Sequence, residues 1–289
     1  MSTRLGLEGR SDIGPFFSLR GRTGFDEYWR SGDDEPVAFL EADGEYRIDP
    51  RNQLDLGLGY HSLPNAGRNV LARASYTHSA EMWKLSGGFE RKLRFDSYLA
   101  LVGEGSGGDR IGSARENRFY GVASTERGRF EGEIGPYAGW VDSEGISDNA
   151  FVGLRGRLAF QLLETRHFDL GSFYEADLEH YDDDAFGDST ESDAKPGGYF
   201  SPQLFFEQVP GLALGFRFGK DNFLDLDGGP ALQVVKESGH ATRFEVGGRA
   251  GLSFVTFLKD SLYWTVESDF VRIDAYTRVE AKTSLTFKF

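Results

Sequence analysis

Carboxylates are the residues of this chain best able to do chemistry, and they recur at alternate positions: Glu131 and Glu133, then Asp169, Glu175, Asp177 and Glu179, then Glu267 and Asp269. Side chains two apart on an extended chain point the same way, so each set would present its acids to one face. Such rows could run general acid–base chemistry at a rim, bind a cation, or favour cationic and hydroxyl-rich solutes in a water-filled passage. Catalysis has little support: there is no G-x-S-x-G elbow, no H-E-x-x-H and no Gly-rich loop carrying the Lys of a phosphate-binding loop. The five His residues, His61, His78, His167, His180 and His240, lack metal-ligand spacing. His180, beside Glu179 and the acidic stretch 182–198, is the best place for a hydrolytic site. A Ca²⁺ site on Asp182, Asp184 and Asp188 is conceivable, but the spacing lacks the ligand order of an EF-hand. The expectation is therefore a protein that is not an enzyme and needs no cofactor or metal.

The segments that would hold these acids alternate. Leu54, Leu56, Leu58 and Tyr60 face away from Asp55, Gly57 and Gly59; Val152, Leu154, Leu158, Phe160 and Leu162 face away from Gly153, Arg155, Arg157 and Gln161. Phe244, Val246, Ala250, Leu252 and Phe254 do the same against Arg243, Glu245, Arg249 and Ser253. The final segment, TRVEAKTSLTFKF, puts Val279, Ala281, Leu285, Phe287 and the terminal Phe289 on one side and Arg278, Glu280, Lys282 and Lys288 on the other. A soluble antiparallel sheet shows the same alternation with its oily face packed inward. A closed membrane barrel shows it with the oily face turned to lipid.

Composition favours the barrel. The 289 residues include 38 Gly, 25 Phe, 12 Tyr and no Cys, with 27% charged residues and a net charge of −14. No run approaches the roughly 18 apolar residues of a membrane-spanning helix. A mean hydropathy of −0.42 is no obstacle to a barrel, since only half of each strand touches lipid and closure satisfies the backbone. Lack of Cys suits a periplasm-exposed chain. Met1-Ser2-Thr3 runs straight into a strand-like segment, so residues 1–289 are expected to be a barrel domain excised from a longer chain.

About seventeen strand-like segments can be marked, near 3–10, 15–29, 36–48, 52–61, 68–78, 81–92, 94–104, 117–126, 128–141, 149–162, 166–180, 198–208, 212–220, 230–237, 242–257, 261–273 and 277–289. Bacterial single-chain barrels prefer even numbers, which predicts an all-β, closed antiparallel transmembrane β-barrel of about 16 strands. Tight turns are expected at Asp49-Pro50-Arg51-Asn52, Pro210-Gly211 and Lys259-Asp260, with longer polar loops at Asp33-Asp34-Glu35, 104–116, 142–149 and 182–198. Short turns belong on the periplasmic side and long loops outside. Tyr28, Trp29, Tyr60, Tyr76, Trp83, Phe119, Tyr137, Trp140, Tyr174, Tyr181, Tyr199 and Trp264 fall near strand ends, where interfacial girdles need them.

The segment Gly197–Gln203 reads GGYFSPQ and runs into LFFEQVPGLALGFRFG. Pro202 cannot donate to a ladder and belongs at a strand start, while Gln203 can turn its amide to the lumen. With the terminal strand and the rhythm between them, this heptapeptide resembles the C-terminal barrel of the bacterial cellulose synthase outer-membrane subunit and related exopolysaccharide export porins. The resemblance implies an outer-membrane conduit for a nascent linear polysaccharide, fed by a periplasmic helical-repeat region and an inner-membrane synthase complex, active in biofilm formation. The repeats are not in this chain, and its acidity suits cationic polymers such as Pel or poly-N-acetylglucosamine at least as well as cellulose.

On this reading a monomeric barrel meets outer-membrane lipid and passes polysaccharide, without nucleic acid. Tyr137, Phe173, Tyr199, Gln203 and Tyr263 would offer stacking and hydrogen bonds, and Glu131, Glu133, Asp169, Glu175, Asp177, Glu179, Glu267 and Asp269 would set selectivity. A general or solute-specific diffusion porin and a rim-located hydrolase are the alternatives.

Overall fold

A computed structural model describes residues 2–30, 33–63, 67–94, 113–143, 146–183, 201–237, 240–259, 262–273 and 276–288. Fifteen strands make one sheet: β1 (Ser2–Ile13), β2 (Phe17–Arg30), β3 (Asp33–Asp49), β4 (Asn52–Leu63), β5 (Gly67–Ser79), β6 (Trp83–Leu93), β7 (Arg115–Arg127), β8 (Phe130–Ser143), β9 (Ile146–Glu164), β10 (Phe168–Tyr181), β11 (Leu204–Phe218), β12 (Asn222–Lys236), β13 (Arg243–Lys259), β14 (Leu262–Ile273) and β15 (Tyr276–Lys288). Each strand pairs antiparallel with the next, and the sheet closes on itself through β1 and β15. That last pair is parallel, in register from Ser2–Glu280 to Arg10–Lys288, as an odd number of strands requires.

Alternation sets the faces. Leu40, Leu58, Val70, Val152, Leu158, Phe244 and Val246 are exposed on the outside, while the charged register turns into the lumen. Among the described side chains, Asp, Glu, Lys and Arg reach the outer face only near strand ends, at Arg68, Arg91, Arg115, Arg127, Asp142, Asp148, Lys236 and Arg272. One end of the barrel is made of tight connections, three of which use a Gly with positive φ: Gly14 (77°), Gly128 (62°) and Gly219 (72°). L side chains rarely adopt that left-handed conformation, so glycine permits the tight reversal at little cost. At Asp49, the side chain accepts hydrogen bonds from the Arg51 and Asn52 backbone N–H groups and from the Asn52 amide, at 2.7, 3.0 and 2.6 Å. The Asn52 amide, followed by the Arg51 N–H, holds this turn carboxylate below its ordinary range.

Several sequence expectations are corrected. The Pro210-Gly211 turn does not exist: the segments 198–208 and 212–220 meet within the single strand β11. Pro210 faces Pro230 of β12, midway between the Gln208–Leu232 and Leu212–Gly228 pairs. Neither proline has an N–H to give, so the β11–β12 ladder lapses there. The flanking ladders, Tyr174–Pro210 and Pro230–Gly248, run on and carry both chains through. The segment near 230–237 is the second half of β12, whose first half begins at Asn222.

Asp33-Asp34-Glu35 and most of 142–149 are also strand: β3 starts at Asp33, β8 runs to Ser143 and β9 starts at Ile146. Polar strand ends that rise past the apolar band keep their ladder, so polarity there marked an aqueous strand and not a loop. Residues 95–112 and 184–200, which hold most of segment 94–104, most of the loop 182–198, and Asp184 and Asp188, lie outside the described residues. Tyr60, Tyr76, Trp83, Phe119, Tyr174 and Trp264 are exposed on the outer face, whereas Tyr137 and Tyr181 are buried inside the barrel.

Candidate functional site: the lumen wall

The lumen differs between its two ends. Toward the long-connection end, side chains fill it. Tyr137, Val141, Phe151, Tyr181 and Ala114 form one buried cluster, Phe173, Val209, Ala231 and Ile273 another, and Val37 and Leu63 pack with Leu93, the last residue of β6, where its ladder to β5 has ended. Gly153 of β9 makes room for Tyr137, since a Cβ there would sit 2.4 Å from the Tyr137 Oη. Gly211 of β11 does the same for Phe173.

Charge in this half is matched. The Tyr137 hydroxyl lies 2.8 Å from Asp177 Oδ1 and 2.8 Å from Glu179 Oε2. Arg155 donates to Asp177 Oδ2 at 2.6 Å, and Arg94 donates to the Tyr181 hydroxyl. Glu116 is ringed by Arg118 Nε at 2.7 Å, Lys92 Nζ at 3.5 Å and Arg94 Nη1 at 3.8 Å. On the opposite wall His61 Nε2 lies 2.9 Å from Glu41, Arg22 pairs with Glu41 and Asp43 at 2.8 and 3.3 Å, and Arg73 pairs with Asp43 at 3.0 Å.

Pairing continues into the middle of the barrel. Glu175 sits between Arg157 (3.3 Å) and Arg249 (3.4 Å). Arg249 also reaches Glu207 at 3.2 Å, and Gln233 donates to Glu207 at 2.5 Å. Asp169, beside the tight β9–β10 turn, pairs with Arg217 at 2.7 Å.

Toward the tight-turn end pairs persist, Arg10 with Asp12, Arg20 with Glu8, Arg47 with Glu45 and Arg217 with Asp169, but a group of acids stands apart from them. Glu131 and Glu133 on β8 and Glu267 and Asp269 on β14 are exposed, and none is in an ion pair with a described residue. Two further carboxylates join them, Asp225 and Asp227 on β12, also exposed and without a salt bridge to a described residue. Register brings four of the six together. Asp227 and Asp269 flank Gly251, while Asp225 and Glu267 flank Ser253. The Asp227 carboxylate leans over Gly251, where a Cβ would lie 2.6 Å from its Oδ1.

The thirteen residues picked from sequence therefore divide. Asp169, Glu175 and Asp177 are held by arginines, and Glu179 contacts Tyr137. Glu131, Glu133, Glu267 and Asp269 face open lumen. Phe173 is buried under the Arg157 guanidinium, whose carbon is 5.4 Å from the ring centroid. Tyr263 faces the lumen beside Phe257, ring centroids 5.5 Å apart. Gln203 precedes β11, and its carbonyl bonds the His180 ring. Tyr199 lies outside the described residues. His180 and Glu179 project to opposite faces of β10. Among the described residues no group of three or more His, Cys, Asp or Glu could hold a metal ion.

Asp225 and Asp227 escaped the sequence reading because residues 221–229 fell between the marked segments 212–220 and 230–237. Their signal was the alternation Leu224, Leu226 against Asp225, Asp227.

No family model matches the chain. No curated protein matches it in sequence either. Among solved structures it is similar to a bacterial polysaccharide outer membrane secretin. The TM-score is 0.58 at 14% identity, over 91% of this chain and 85% of that one. At that identity the likeness is one of fold: a closed β-barrel.

Proposed function

We propose that this barrel lies in the bacterial outer membrane and conducts a nascent linear polysaccharide outward. The apolar outer face would meet lipid and the tight turns would face the periplasm. The observation that carries the reading is a group of six exposed carboxylates, none in a salt bridge with a described residue, in the half that a polymer would enter. Carboxylates in a low-dielectric tube attract cations and repel polyanions. Partly deacetylated amino-sugar polymers such as Pel or poly-N-acetylglucosamine suit this lining better than neutral cellulose. Farther along, buried aromatics and matched ion pairs narrow the passage, so a chain would slide past many weak contacts. A periplasmic helical-repeat region and an inner-membrane synthase complex would supply the polymer, as the resemblance to exopolysaccharide export porins implies. The fold likeness to a polysaccharide outer membrane secretin supports a transport role over a hydrolytic one.

Planar-bilayer recording tests this. Chitosan oligosaccharides added on the tight-turn side should interrupt the current at lower concentration than neutral cello-oligosaccharides, and alginate oligosaccharides should not interrupt it. Equal block by all three would favour a general diffusion pore.

A further inference from the structure

The outer face carries a preformed cationic site at the long-connection rim. Arg91 of β6, Arg115 and Asn117 of β7 and Asp142 of β8 share the outward register with Phe89, Phe119 and Trp140. The three rings form a contiguous row, with centroids 5.0 Å apart for Phe89 and Phe119 and 6.2 Å for Phe119 and Trp140. Arg91, Asn117 and Trp140 share one ladder row, two residues beyond Phe89 and Phe119, and Arg115 and Asp142 pair two residues farther on. Arg91 Nη1 and Nη2 donate to Asp142 at 2.9 and 3.4 Å, and Arg91 also donates to Asn117. Arg115 Nε donates to the same carboxylate at 2.6 Å, and Asn117 Nδ2 does so at 2.9 Å.

One carboxylate thus orients two guanidinium groups, while the terminal nitrogens of Arg115 hydrogen-bond to no described residue. Charge is laid out by strand. Arg68, Arg91 and Arg115 stand on β5, β6 and β7, whereas Asp142 and the exposed Asp148 stand on β8 and β9. Arg91 and Arg115 thus stand on neighbouring paired strands, and Asp148 lies beyond Asp142 from them. Guanidinium forks fit phosphate oxygens in pairs, and a cluster already held in place loses little freedom on binding. An aromatic row below it marks where tails give way to headgroups.

We propose that Arg115, steadied by Asp142 and flanked by Arg91, binds the phosphate of an outer-leaflet glycolipid whose acyl chains lie on the Phe89, Phe119 and Trp140 row. This rests on the membrane reading above.

Native mass spectrometry of the detergent-purified barrel with bisphosphorylated lipid A tests it. Wild type should retain one lipid, R115Q should lower the retained fraction about tenfold, and R115K should fall between them. R127Q, at the other rim, should bind as wild type does, and circular dichroism should show every variant folded. Equal retention by R115Q, or equal retention of dephosphorylated lipid A, would overturn the site. Thermal protection by inorganic phosphate alone matching that by lipid A would overturn the lipid as its occupant. Bilayer conductance of the same preparation reports separately on the conduit, so either idea can fail without the other.

Discussion

The guanidinium carbon of Arg118 lies 4.3 Å from the ring centroid of Tyr137. One face of that ring is thus covered by a cation, while its hydroxyl reaches two carboxylates, so Tyr137 acts as a keystone of the lumen filling. A passing chain would meet the cluster's edge and not a free aromatic face.

Tyr137→Phe removes the hydroxyl between Asp177 and Glu179 and leaves Arg155 as the hydrogen-bonded partner of Asp177. Losing a partner of enclosed polar groups costs about 1–3 kcal/mol. The denaturant midpoint for losing the folded, heat-modifiable band in detergent should fall accordingly, and an unchanged midpoint would contradict the keystone role.

Gly153→Ala places a methyl 2.2 Å from the Tyr137 Cζ, so the ring must move. We expect a loss of about 1–3 kcal/mol together with altered single-channel conductance. Gly156→Ala, where the nearest atom is Glu133 O at 3.7 Å, should stay within about 0.5 kcal/mol of wild type.

The D225N/D227N/E267Q/D269N variant should shift the reversal potential in a KCl gradient toward that of an unselective pore. Asp169→Asn, which removes an acid already matched by Arg217, should shift it far less. Equal shifts would mean that pairing does not decide which acids an ion senses.

Leu158 is exposed midway along β9. Leu158→Arg should cost about 2–4 kcal/mol in folding into lipid vesicles if it sits near the bilayer midplane. Ser253→Arg, on the lumen register, should be tolerated. A freely soluble L158R barrel that folds as well as wild type would remove lipid from the account.

Asp49 titrates below its ordinary range because the Asn52 amide and the Arg51 N–H bond its ionised form. A lowered native value adds stability above the ordinary Asp value, and that stability is lost as pH falls through the lowered one. Carboxyl NMR in micelles should therefore find Asp49 still ionised at a pH where Asn52→Ala has begun to protonate it.

Alternation was enough to assign the faces. Leu54, Leu56 and Leu58 sit outside and Asp55 inside because a strand has period two. Tyr137 was open to two readings, a lumenal one because it shares a register with Glu131 and Glu133 and a girdle one because it falls near a strand end, and the structure buries it inside the barrel. Pro210 was misleading. A proline without an N–H normally breaks a central strand, and here its opposite neighbour is another proline, a pairing that neither segment reveals by itself.

Period and composition were thus written in the chain: an all-β wall, oily outside and acidic inside. Which acids are free was not. Asp177 meets Arg155, while Asp269 faces Gly251, because the stagger between strands sets each lumenal neighbour. That stagger arises only when fifteen strands close on one another, so the electrostatic character of the passage belongs to the closed barrel and not to any one segment.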